Sequence, residues 1–113
     1  MDDIYWDDGS TSVEDEGGTA PVRSLRLFPN APNPFSATTE IRFGLPAPAA
    51  YDIVVYDVTG RQVARHRGTG VAGINTVRWD GRDDRGAAVA SGIYYYRLEA
   101  GGEMTERRMV LLR

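Results

Sequence analysis

The glycines and prolines of this chain fall between its short apolar runs rather than inside them, and that punctuation constrains the fold more than any other feature. Glycine and proline both interrupt regular backbone. A chain broken by turn signals about every 10–15 residues has room for many short strands and little room for helix. No stretch sustains a 3.6-residue apolar period between proper caps, so helix is expected to be minor.

Seven strand-like runs follow from Leu25 onward. Leu25–Phe28 leads into the turn-rich PNAPNPF of residues 29–35. Thr39–Leu45 alternates, placing Ile41, Phe43 and Leu45 on one face and Glu40, Arg42 and Gly44 on the other. Tyr51–Val58 is apolar on both faces, as a central strand would be, and Thr59-Gly60 then turns the chain into the polar, edge-like run Gln62–Arg67. Gly73–Trp79 sets Val77 and Trp79 on one face, and Gly92–Ala100 does the same with Tyr94, Tyr96 and Leu98. Gly101-Gly102 makes a hairpin into the last run, Glu103–Leu112, where Met109 and Leu111 share a face. Together these predict an all-β fold, a seven-stranded immunoglobulin-like sandwich of Greek-key type. Its expected anchors are Phe35, Phe43, Trp79, Tyr94 and Tyr96. Each such aromatic is worth ~2–3 kcal/mol when buried.

The chain of 113 residues accommodates one domain and a tail. Residues 1–24 read as an acidic linker or the remnant of a preceding module, and residues 25–113 as the sandwich. Seven acids and no base lie within residues 1–20 (Asp2, Asp3, Asp7, Asp8, Glu14, Asp15, Glu16), whereas the remainder carries 13 arginines against nine acids. So acidic and apolar-poor a segment cannot offset the entropy of ordering itself. Ile4, Tyr5 and Trp6 stand apart, either as a domain remnant or as a short strand suited to an open sheet edge. No basic stretch followed by an apolar one opens the chain, so the export signal of an exported parent protein is expected upstream. No apolar run reaches the ~20 residues of a membrane span.

Composition excludes several chemistries. The absence of cysteine removes disulfides, thiol nucleophiles and cysteine-based zinc sites, and the absence of lysine removes isopeptide crosslinks and Schiff bases. His66 is the only histidine, too few for a usual transition-metal site. No serine sits in a G-x-S-x-G elbow, and no catalytic site is expected. Asp80, Asp83 and Asp84 in WDGRDDRG are candidate oxygen ligands for calcium, but their spacing lacks the distal glutamate of an EF-hand loop. Their alternative role is to cap turns around Gly81 and Gly86. The acidic run of residues 2–9 raises the same cation question. Tyr95, Tyr5 and Trp6 are candidates for stacking on sugar, although an outward tyrosine is ordinary on a strand. Neither a cofactor nor a nucleic-acid partner is expected.

Five blocks carry a family resemblance: LFPNAPNPFSATTEIRFGLP (27–46), YDIVVYDVTGRQV (51–63), GINTVRWDG (73–81), ASGIYYYRLEAGG (90–102) and MVLLR (109–113). In this order and spacing they resemble the C-terminal sorting domains of type IX secretion cargo and the related immunoglobulin-like domain of the flagellar hook-capping protein. The resemblance implies a sandwich at the end of a larger protein, with an upstream cargo domain and the type IX translocon and its surface-attachment machinery as partners. It also implies removal of the domain after passage and attachment of the cargo to surface lipopolysaccharide. By position, the sorting determinants would be Arg107, Arg108, Met109, Val110, Leu111, Leu112 and Arg113, supported by Gly92 and Tyr94. Where family tails end in lysines this chain has arginines, which keeps the charge and changes the donor geometry. A last strand of this kind is expected to leave one side of its backbone free for pairing, its arginines adding a local positive field. The other reading is an accessory or carbohydrate-binding module of a secreted hydrolase, or a hook-cap-like structural domain.

Overall fold

The computed structural model describes residues 23–113. Residues 1–22 of the linker assigned to 1–24, the acidic run at 2–9 and the Tyr5 and Trp6 candidates all lie outside the described residues. Seven strands form: β1 (Arg26–Leu27), β2 (Thr39–Leu45), β3 (Ala49–Asp57), β4 (Gln62–Gly70), β5 (Gly73–Trp79), β6 (Gly92–Ala100) and β7 (Glu103–Leu111). They make two antiparallel sheets, one ordered β1-β2-β5 and the other β4-β3-β6-β7. The chain crosses between the layers after β2, after β4 and again after β5. The protein is an all-β sandwich.

The period-2 pattern explains which residues meet. Ile41, Phe43 and Leu45 of β2 face Ile53 and Val55 of β3, Tyr96 and Leu98 of β6, and Met109 and Leu111 of β7 in one buried cluster. All five expected aromatic anchors are buried in it. Leu25 and Val77 pack against its margin, half-buried. β3 is internal to its sheet and carries a third buried aliphatic residue, Val54, on the outward face, which accounts for its apolar character on both sides.

The turns follow from their residues. Between β3 and β4 the Asp57 amide bonds to the Arg61 carbonyl at 3.0 Å, leaving a three-residue loop with Gly60 at φ +88°. The Asp57 carboxylate accepts from the Thr59 hydroxyl at 2.6 Å and from the Thr59 and Arg61 amides at 2.9 and 3.1 Å. These bonds hold Asp57 below the usual carboxylate range, the Thr59 hydroxyl contributing most. Val58 is therefore not the end of a strand, as its sequence context suggests, but an exposed loop residue. Gly101 and Gly102, both at positive φ, form the two-residue turn that joins β6 to β7.

Candidate functional site

The residues expected to carry sorting converge at one end of the four-stranded sheet. The β6–β7 register sets Gly92 opposite Leu111 and Tyr94 opposite Met109, so two motifs distant in sequence become neighbours. Beneath them, Trp79 packs edge-on against Phe35 and against Tyr94, each with ring centroids 5.7 Å apart. Tyr94 donates its hydroxyl to the Ala90 carbonyl at 2.6 Å, closing the corner that starts β6. Burial pushes this phenol above its ordinary value, because the phenolate would lose solvation.

The seven tail residues separate into groups with different surroundings. Met109 and Leu111 are fully buried and belong to the core. Arg107 donates from Nε to the Leu27 carbonyl of β1 at 2.6 Å, bridging the two sheets. Arg113 lies folded over the loop before β6. Its Nε donates to the Val89 carbonyl at 2.7 Å, its Nη2 to the Gly81 carbonyl at 2.5 Å, and its amide to Ser91 Oγ at 2.9 Å. Arg108, Val110 and Leu112 point the other way, Arg108 and Leu112 exposed and Val110 half-buried. Two of the three arginines thus have structural partners. Their acceptors are backbone carbonyls, which leave no mark in a sequence.

One edge of β7 is part open and part covered. Residues of an antiparallel strand alternate between facing their partner and facing away. Val110 faces away from β6: its amide donates to Asn33 Oδ1 at 3.0 Å and its carbonyl accepts from the Phe35 amide at 3.0 Å. The Leu112 amide in turn donates to the Phe35 carbonyl at 2.9 Å. By the same alternation the backbone groups of Met104, Glu106 and Arg108 also point outward, and no strand pairs with them among the described residues. The expectation of a wholly free side is corrected here, because residues 33–35 latch the end of the strand. The PNAPNPF run reads only as a turn in sequence. Its polar Asn33 and apolar Phe35 were the available signal for a segment with one side wet and the other buried.

Of the three candidate calcium ligands, Asp80 and Asp83 cap turns, whereas Asp84 reaches across to β4. Asp80 Oδ1 accepts from the Arg82 amide at 3.1 Å, Asp83 Oδ1 from the Arg85 and Ala87 amides at 3.0 and 2.9 Å, and Asp84 Oδ1 from the Arg65 amide at 3.1 Å. Among the described residues, no three acidic or histidine side chains are gathered where they could hold a metal ion. Tyr95, the sugar-stacking candidate, is half-buried between Tyr56 and Arg108 in the cross-strand register. A shallow groove of about 650 Å³ lies at the opposite end of the sheet, lined by Asp52, Arg67, Glu99 and Met104 among others.

A family model described as the FlgD Ig-like domain matches residues 30–103. No curated protein matches the chain. Among solved structures, it is similar to dimeric latent PorU from Porphyromonas gingivalis at 19% identity and a TM-score of 0.68, over 89% of this chain and 10% of that one. PorZ from the same organism, an essential bacterial surface component of the type IX secretion system, is similar at 22% identity and a TM-score of 0.55, over 77% of this chain and 11% of that one. FlgD from P. aeruginosa aligns at 20% identity and a TM-score of 0.52, over 87% of this chain and 74% of that one. At these identities the likeness is one of fold. The chain spans about a tenth of the length of PorU and of PorZ.

Proposed function

Because the chain belongs to the FlgD Ig-like domain family, we propose that it is a non-enzymatic sorting and surface-attachment module that directs a larger secreted protein through the type IX secretion system. The observation that carries this reading is the stretch of β7 edge at Met104, Glu106 and Arg108, with which no strand pairs among the described residues, next to the latched tail. An edge with unpaired backbone groups is a template for an added strand, and Arg108 gives it an exposed cation for an acidic partner. The fold shared with PorZ, a surface component of that system, supports the same reading. The module uses no cofactor. Its cargo is the upstream part of the same polypeptide, and its destination is the cell surface by way of the periplasm.

Deleting residues 107–113 is an ambiguous test, because it removes two core side chains with the arginines. Exchanging all three arginines for alanine is ambiguous too, since Arg107 and Arg113 hold the fold. Glu106→Pro is cleaner. The Glu106 amide points away from β6, so proline there removes no ladder bond while blocking strand addition. In a host with the type IX machinery, the parent protein carrying Glu106→Pro or Arg108→Glu is expected to accumulate in the periplasm, with the melting curve of the domain nearly unchanged. Full surface delivery of both variants would overturn the reading and leave the structural-domain role of the FlgD family in its place.

A further inference from the structure

The outward face of the smaller sheet holds a cationic cluster that the sorting reading does not use. Phe28 continues β1, its amide donating to the Arg42 carbonyl at 3.0 Å. Its half-buried ring lies between two guanidiniums, with Arg26 Cζ at 5.4 Å and Arg42 Cζ at 5.2 Å from the centroid. Each cation gains from the ring face, but two like charges over one ring repel each other. Among the described residues neither Arg26 nor Arg42 has a carboxylate partner. The neighbouring Arg78 and Glu40 offset one another across β2 and β5, at 3.8 Å. Arg23 adds a further cation just ahead of β1.

A face with this excess of positive charge calls for an anionic cover, and the chain carries one. Residues 2–16 hold seven acids and no base, and they join the sandwich at Arg23, beside β1. Geometry permits the contact. The seven residue steps from Glu16 to Arg23 extend up to ~25 Å, whereas a three-stranded sheet is only ~10 Å across its strands. We propose that the Arg26–Phe28–Arg42 face is the docking surface for the acidic segment 2–16 of the same chain. The carboxylates of Glu14, Asp15 and Glu16 reach the guanidiniums first. The docked segment covers the outward face of the smaller sheet.

The chain has no cysteine, so a single Ser12→Cys substitution accepts one nitroxide label in the full-length protein. At low salt the label is expected to broaden the backbone amides of Arg26, Phe28, Arg42 and Thr76 and to spare those of Arg65, Arg97 and Arg108 on the opposite face. Raising the salt to about 1 M, where the Debye length is ~3 Å, should restore the signals. So should Arg26→Glu with Arg42→Glu, or Glu14→Gln with Asp15→Asn and Glu16→Gln. Three results would overturn the proposal: no broadening of the smaller sheet, equal broadening of both faces, or broadening that passes to an unlabelled copy in a mixed sample. The last would assign the face to a second molecule.

Discussion

Gly81 and Arg113 show how a single residue pair can fix one end of this sandwich. Gly81 sits at φ +71°, and a Cβ built on it would lie 2.8 Å from Arg113 Nη2. Glycine is therefore needed twice, for the backbone conformation and for the approach of the guanidinium to the Gly81 carbonyl. Gly81→Ala is expected to cost ~1–2 kcal/mol from the left-handed backbone alone, and more where Arg113 must also move. In an Arg113→Ala background the collision is gone, so the double variant should lose less than the sum of the single losses. Denaturant titration of the four proteins checks this, and strict additivity would show that Arg113 does not seat on Gly81. Little of it was legible in the sequence. WDGRDDRG announces a turn through its Asp and Gly content, and the turn is there, with Trp79 Nε1 donating to the Arg82 carbonyl at 2.9 Å inside it. That the last residue of the chain folds back onto this loop is a long-range contact to backbone atoms, which no local pattern encodes.

At the scale of elements, the alternation of apolar residues located β2, β5, β6 and β7, because burial on one face is what selects a period of two. β3 was marked instead by a run apolar on both faces, and β4 by the Thr59-Gly60 turn before it. The departures have local causes. β3 ends at Asp57 because that carboxylate captures the next amides, and β4 runs on to Gly70 by pairing through Ala49 and Ala50. Charges on the outward face join these two strands. Asp52 of β3 accepts from Arg65 Nε and Nη2 of β4 at 2.9 and 2.5 Å, with Arg67 Nε at 3.9 Å. The Arg65 hydrogen bonds hold the Asp52 carboxyl below its usual 3.8, against the opposing effect of burial. A carboxylate whose folded value is lowered stabilises the fold above its unfolded value and loses that contribution as the pH falls. Denaturant midpoints should therefore drop between about pH 5 and about pH 2. Asp52→Asn should lower the midpoint near neutrality and flatten this acid limb, leaving the part that Asp57 contributes. An acid limb of unchanged slope would place the titration elsewhere.

The two sheets are held together as a whole by packing and by a few polar ties, of which Tyr96 is the most deeply placed. Its ring is fully buried on β6, and its hydroxyl donates to the Phe28 carbonyl beside β1 at 2.8 Å, from one layer to the other. The alternation of Gly92–Ala100 placed Tyr96 in the core, but its partner could not be read, because any carbonyl reached by the ring would serve. Burial raises the phenol above its usual 10.0, as it does for Tyr94. The unfolded chain therefore releases these protons first, near 10.0, and between there and the raised values the folded state retains more protons. Stability is present in full below the unfolded value and is lost as the pH rises through the folded ones. Composition makes the measurement unusually clean: the chain has neither lysine nor cysteine, and arginine stays protonated there, so tyrosine is the side chain that titrates in this window. Tyr96→Phe should cost ~1 kcal/mol near pH 8, where the Phe28 carbonyl loses its donor. It should also flatten the fall of the denaturant midpoint between about pH 9 and about pH 11, and adding Tyr94→Phe should flatten it further. If the alkaline limb keeps its slope in the double variant, neither buried phenol governs it, and the tie between the sheets must rest on the apolar core and the Arg107 bridge instead.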